Sequence, residues 1–270
     1  MGPGGKRRRW LVGLVAVWAV VLVGLAVWSV RHQPATVAEQ RNIAVAVPEL
    51  QQAAGVLFAA ADGPGRALVL GELELITGCR ITSVRDGVEA ARDLTVYVPD
   101  GQARDALDRI VAGLPPGYRA GVVASRGGTR LGFHADAGNF IGIDSSVESS
   151  AKVLTLRLTS GCRPDSDKTA GESDPSAGPP PAAFGAVLAA LGVSTTPDTT
   201  AVKGPDGGLA ASWSADVDEP GDLQPRLQKV SAGAAVIRSD AAAWAYRVGD
   251  DSVVVVPDGR RVRVTVSAAQ

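Results

Sequence analysis

The sequence predicts an α+β protein: one N-terminal transmembrane helix, then two small modules, each running helix-strand-strand-helix-strand-strand. Three observations predict it. Residues 10–30 form a run with no charge and no proline, set between basic flanks. Beyond it, segments with apolar residues three or four apart alternate with segments of two-residue alternation. A stretch rich in Pro, Ser, Asp and Gly, residues 163–181, then divides the chain into two similar halves.

The apolar run is 21 residues long. At about 1.5 Å per residue it makes a helix of roughly 31 Å, the thickness of a hydrocarbon core. Trp10 and Trp28 stand near its ends, where interfacial indoles are favoured. Lys6, Arg7, Arg8 and Arg9 precede it and a single Arg31 follows, which keeps the N-terminus in the cytoplasm and exports the rest. A cleaved signal peptide would have a shorter apolar core, about 7–15 residues, ending at a small-residue cleavage site. Here Trp28, Arg31 and His32 occupy the region where small residues are wanted, so an uncleaved anchor is expected. Either reading exports the remainder.

Charge is distributed accordingly. Five of the 27 basic residues flank the run, and all 28 acidic residues lie beyond it. The exported part carries 22 basic against 28 acidic residues, a net −6. It has no global attraction for phosphate backbones, and nucleic acid is not an expected partner. Arg, at 22, far outnumbers Lys, at 5, a composition associated with GC-rich bacterial genomes. Aromatics make up 4% of the chain, so the cores must be built from Val, Leu, Ile and Ala.

Taken in order, residues 1–9 are a cytoplasmic tail, 10–30 the span and 31–47 a tether. Residues 48–162 are the first extracytoplasmic domain, 163–181 the linker and 182–270 the second domain. Pro48 suits a first helical position, and Leu50, Ala53, Ala54, Leu57 and Phe58 share one face as far as Asp62. Gly63-Pro64-Gly65 ends that helix. Strand-like runs follow at 67–70, 79–84 and 94–98. Asp100 is placed to cap a helix over 101–112 with Ala103, Leu107, Ile110 and Val111 buried. A hairpin is expected around Gly127-Gly128, then a strand at 153–158 with Leu154, Leu156 and Leu158 on one face. The second half reads as a helix at 182–191, a strand at 209–215, a helix capped by Asp222, strands at 234–238 and 244–248, and a last hairpin turning at Pro257-Asp258-Gly259.

The halves look like one unit used twice. At an offset of 120, Ala103 aligns with Leu223, Leu107 with Leu227, Ile110 with Val230 and Gly113 with Gly233. Phe133 and Tyr246 each stand in the strand pair that follows. Two units are too few for a solenoid. The layout is similar, at the level of architecture alone, to the small αββ modules of bacterial envelope machines, of the ring-building and secretin N-terminal types. No motif carries a family.

Candidate chemistry is sparse. Cys79 and Cys162 are the only cysteines, and an even count in an exported domain favours a structural disulfide over two free thiols or a redox pair. Ser149 and Lys152 fit S-x-x-K, the arrangement of a Ser/Lys hydrolase, but the serine precedes an alternating strand and does not open a helix. His134, with Asp136 near, lacks any G-x-S-x-G nucleophile elbow. Asp216, Asp218 and Asp222, with Glu219 among them, could offer oxygen ligands to Ca²⁺, but lack the EF-hand order. No tetrahedral metal set is present, and no Gly-rich loop opens a helix, so neither metal nor cofactor is expected. The expected function is non-catalytic: a single-pass protein presenting tandem domains in the cell envelope. Its partners would be the lipid bilayer and an envelope protein or a second copy of itself. The alternatives are an envelope hydrolase using Ser149 and Lys152, and an ectodomain that senses a ligand or polymer.

Overall fold

A computed structural model describes residues 4–32, 41–165 and 174–270. Helix α1 (Gly4–His32) contains the 20-residue apolar stretch Trp10–Ser29, of mean hydropathy 2.6, and none of it is buried against the rest of the protein. It is long and apolar enough to cross a membrane. Helix α2 (Ile43–Ala61) passes the same length test at hydropathy 1.4, but half of it is buried inside the protein. It is the central core helix of the first module.

That helix starts five residues earlier than Pro48. Asn42 caps it, its side chain accepting from the Val45 amide at 3.2 Å. Ile43, Ala46 and Val47, assigned by sequence to the tether, are buried in the core. Pro48 sits inside the helix, where it withholds one amide from the Ala44 carbonyl, at a half-exposed residue of the first turn.

The first module continues through β1 (Ala67–Leu70), β2 (Glu74–Thr82), β3 (Arg85–Tyr97), α3 (Ala103–Gly113), β4 (Gly121–Ser125), β5 (Arg130–Asp136), β6 (Gly142–Glu148) and β7 (Val153–Arg163). Its sheet has the order β1-β3-β7-β6-β5-β4, with β2 added alongside β3. The second module runs α4 (Ala182–Leu191), β8 (Asp198–Lys203), β9 (Leu209–Asp218), α5 (Leu223–Val230), β10 (Ala235–Asp240), β11 (Ala243–Val248), β12 (Asp251–Asp258) and β13 (Arg261–Ala269). Its sheet has the order β8-β9-β13-β12-β11-β10. All pairs in both sheets are antiparallel.

The two orders are the same. Matching β1 to β8, β3 to β9, β7 to β13, β6 to β12, β5 to β11 and β4 to β10 superimposes the topologies, with α2 and α4, and α3 and α5, at equivalent places. Phe133 and Tyr246 fall on the equivalent strands β5 and β11. The sequence repeat is therefore a topological repeat, and β2 is the one strand without a counterpart.

Each sheet buries one face beneath its own helices. Leu68, Leu94, Val96, Leu154, Leu156 and Phe133 pack with α2 and α3. Trp213, Tyr246, Val253, Val255, Val262 and Val264 pack with α4. The opposite faces of the two sheets meet, through Ala67 and Tyr97 on one side and Ile237, Ala243, Ala245 and Val254 on the other. Strand β12 is covered on both faces, which explains its run of four valines from 253 to 256.

Helix α2 also reaches the second module. Val202 and Ala210 belong to its core cluster. Gly55 lies so close to β8 that a Cβ there would be 1.8 Å from the Lys203 carbonyl oxygen. Between the sheets, the Leu70 amide donates to Ser212 Oγ at 2.9 Å and Thr200 Oγ1 donates to the Leu70 carbonyl at 3.0 Å. The two modules form one packed body.

Further elements differ from the sequence reading: β2 and β3 run longer than the expected 79–84 and 94–98 strands and turn at Ser83-Val84. Gln102, not Asp100, is the N-cap residue of α3, and Asp100 instead faces Lys152 at 3.6 Å. Strands β6 and β8 lie in stretches too polar to read as strands, because each turns Asp, Ser or Thr outward from one face.

Candidate functional site

Strand β2 is the most distinctive surface element. All nine of its residues are exposed or half-exposed, and it pairs with β3 alone. Among the described residues no strand lies beside its other edge, a row of backbone donors and acceptors. Leu75 and Ile76 stand out from its two faces, each more than two-fifths exposed. Native proteins usually shorten, charge or cover such an edge; here it is long and carries apolar side chains.

The arm formed by β2 and β3 is braced. Cys79 of β2 and Cys162 of β7 are joined by a disulfide, with Cα atoms 5.8 Å apart, closing a sequence separation of 83 residues. The bridge lies over Gly87 of β3. A Cβ at Gly87 would meet the Arg163 carbonyl oxygen at 2.4 Å and Cys162 Sγ at 2.9 Å, so only glycine leaves room for it. Lower on the arm, Arg157 of β7 donates to Asp93 Oδ1 at 3.0 Å and to Glu74 Oε2 at 2.9 Å, tying β2 across β3 to β7. The hydrogen bond Arg157 donates to Glu74, with Asp93 adding charge, holds the Arg157 pKa above its ordinary value.

The residues singled out for catalysis are not assembled into a site. Ser149 lies in the turn before β7, its amide bonded to the Thr129 carbonyl at 2.8 Å. The Lys152 ammonium is directed to Asp100. Among the described residues no hydrogen bond links Ser149 to Lys152. His134 Nδ1 pairs with Asp144 Oδ1 at 2.8 Å, on the strand directly opposite, and Asp136 instead accepts from the Gly138 amide at 2.9 Å. Both members of the His134–Asp144 pair are largely exposed on an open sheet face.

The proposed calcium ligands are engaged elsewhere. Asp216 receives two hydrogen bonds from Arg263, at 2.8 and 2.7 Å, and these hold its carboxyl below the usual range. Asp222 accepts from Arg226 one helical turn on, with the same effect. Asp218 stands opposite Arg261 in the β9–β13 register. No group of three or more His, Cys, Asp or Glu side chains among the described residues is disposed to hold a metal ion. Trp10 and Trp28 are both exposed on α1, and Arg7, Arg8 and Arg9 lie within that helix; their side chains fall outside the described residues.

Two clefts among the described residues are lined as follows. One of about 520 Å³ runs between Gly63-Pro64-Gly65 and the β10–β11 end of the second module, with Arg247 at its edge. Arg247 is already held by Asp62 Oδ1 at 2.6 Å, Ser252 Oγ at 3.2 Å and the Asp250 carbonyl at 2.7 Å. Another, of about 400 Å³, is lined by Glu72, Glu74, Asp198, Asp216 and Arg263, with Thr200, Ser214 and Thr265 hydroxyls.

Sequence reasoning missed the joint between the modules. Asp174, within the linker, accepts from Arg92 of β3, from Gln51 Nε2 of α2 at 3.2 Å and from the Ala201 amide of β8 at 3.0 Å. Comparison with family models, curated proteins and solved structures finds no match to this chain.

Proposed function

We propose that this is a single-pass, membrane-anchored protein of a bacterial cell envelope. In this reading the N-terminus is cytoplasmic and the two-module body extracytoplasmic, serving as a non-catalytic contact or assembly module. The basic residues concentrated before the apolar helix support that orientation. The disulfide between Cys79 and Cys162 is in keeping with an oxidising compartment.

The observation that carries the contact reading is β2. It is the one strand that breaks the repeat, its outer edge has no strand beside it, and a disulfide braces it. A free, rigid strand edge takes a partner by strand addition: main-chain hydrogen bonds supply affinity and alternate side chains supply selectivity. Leu75 and Ile76 are the apolar contacts this edge offers.

The test is site-specific photo-cross-linking of the full-length protein in its native membrane. A photoreactive residue at Thr77 should give one discrete adduct, identified by mass spectrometry as one partner or as a second copy. The adduct should be lost when Ile76→Lys is added. The same probe at Asp105, exposed on α3, should give none. Equal, diffuse labelling at both positions would overturn the reading.

A further inference from the structure

The chain enters the first module at a definite end, and that end carries a distinct surface. The Ile43 amide, in the first turn of α2, donates to the Pro164 carbonyl at 3.0 Å, just past β7. In the β3–β7 register Val88 faces Arg163, so β3 and its partner β2 overrun β7 there and turn at Ser83-Val84. Gly142 pairs with Thr159, which puts the β5–β6 loop, 137–141, at the same end. The start of α2, the β2–β3 tip and the β5–β6 loop therefore lie at the same end of the module.

Apolar side chains project from the two loops. Val84, at the tip, is 93% exposed, and Phe140 is 53% exposed. Phe140 is held out by its backbone: Asn139 (φ 50°) and Phe140 (φ 62°) are consecutive non-glycine residues in the left-handed region. The loop is pinned in that shape. Arg163 donates to the Asn139 carbonyl and lies 6.0 Å from the Phe140 ring centroid, while Asn139 Nδ2 donates to Glu49 Oε1 at 2.9 Å. Around these apolar points stand Arg41, Arg80 and Arg85, half-exposed or exposed. Glu49 accepts from Asn139 and lies 3.8 Å from the Arg41 guanidinium, and the other nearby acids are Asp86 and Asp165.

The length of the connection sets where this end can be. Nine Cα steps separate His32, the last residue of α1, from Arg41. Fully extended they reach only about 30 Å. If α1 spans a bilayer, the start of α2 stays within that distance of the membrane surface.

We infer that this end of the first module rests on the bilayer holding its own anchor, with Phe140 and Val84 in the boundary between headgroups and acyl chains. Arg80 and Arg85 face the lipid phosphates. The inference rests on the reading of α1 as a membrane anchor. Exposed apolar tips ringed by arginines suit that boundary, where the rings and methyls leave water and the guanidiniums remain in it. Docking of this kind fixes the body's orientation, with β2 leading away from the membrane from its tip at Ser83-Val84.

The test uses full-length protein in liposomes of mixed zwitterionic and anionic phospholipid. Cysteine is introduced at Val84, at Phe140, or at Val123 on β4 as a control; the native cysteines are bonded to each other. Each is labelled with an environment-sensitive dye, and quenching is read with lipids spin-labelled just below the headgroup. Dyes at 84 and 140 should be quenched several-fold more than the dye at 123. Arg80→Glu with Arg85→Glu should reduce that quenching. Quenching at 84 and 140 no greater than at 123, in protein that floats with the liposomes, would overturn the docking alone. Shielding only when other membrane proteins are added would overturn it in favour of a protein partner. Failure to float would overturn the anchor reading, and the docking with it.

Discussion

Asp174, in the linker eight residues before α4, neutralises Arg92, a guanidinium with no exposure to water. The same carboxylate receives Gln51 and the Ala201 amide, so one residue of the linker fastens α2, β3 and β8. An unpaired buried charge costs far more than an exposed pair gains.

Asp174→Ala should therefore destabilise the protein by about 3 kcal/mol, since Arg92 would remain buried without its counter-charge. Arg92→Met combined with Asp174→Leu should recover a large part of that loss. Urea unfolding of the full chain in detergent, comparing the single and double variants, checks this. A loss below about 1 kcal/mol for Asp174→Ala, the scale of a surface pair, would show that the linker carries no weight in the joint.

Gly55→Ala and Gly185→Ala are both changes within helices, and they should act in opposite directions. At Gly55 the new methyl would lie 1.8 Å from the Lys203 carbonyl oxygen and 2.7 Å from its carbon. Backbone must move, so a loss of about 1–3 kcal/mol or more is expected. At Gly185, on α4, nothing lies within 4 Å of the added Cβ. There the change should stabilise by up to about 1 kcal/mol through helix propensity. Thermal unfolding of both variants measures the contrast.

Removing the disulfide by Cys79→Ser with Cys162→Ser should weaken the arm first. The loop it closes is worth roughly 4.5 kcal/mol in the chain-entropy model. Trypsin should then cut at Arg80 and Arg85 much faster than in the oxidised protein, while the second module stays resistant. Equal cleavage rates would show that Arg157 and the β2–β3 hydrogen bonds hold the arm without the bridge.

The Asp216–Arg263 pair gives a pH signature. Arg263 depresses the Asp216 pKa from an ordinary value of 3.8. A depressed carboxyl contributes stability that is present above the unfolded value and lost as pH falls through the folded one. Wild type should therefore exceed Arg263→Gln in stability at neutral pH, by less than about 1 kcal/mol because the pair is exposed. The difference should close as pH falls through about 4 and below. Denaturation midpoints across that range check the sign.

Much of the architecture is legible in the residues. The uncharged run is plain, and so are the Leu154-Leu156-Leu158 alternation and the Pro257-Asp258-Gly259 hairpin. The repeat shows because α3 and α5 turn equivalent positions inward, with Leu107 and Leu227 buried in both and Leu223 and Val230 partly buried. What was hidden follows from context that one-dimensional patterns lack. Ile43, Ala46 and Val47 read as tether because Pro48 looks like a helix start. Strand β6 reads as polar because Asp144 and Ser146 face outward. Arg92, Arg163 and Arg247 are buried, against the usual place of arginine, and nothing local distinguishes them from the exposed Arg260 or Arg261. The free edge of β2 depends on which strands are neighbours, a property of the sheet and not of the segment.

The central claim is that one uncleaved helix holds the whole body outside the cytoplasm. Protease added to the outer side of intact spheroplasts, followed by detection of epitopes at both termini, tests it most directly. The account predicts that the full 27.6 kDa chain resists extraction from membranes at alkaline pH. Outside protease should destroy the C-terminal epitope and spare the N-terminal one. A C-terminal epitope protected until the membrane is opened, or a soluble chain shortened by the apolar segment, would contradict it.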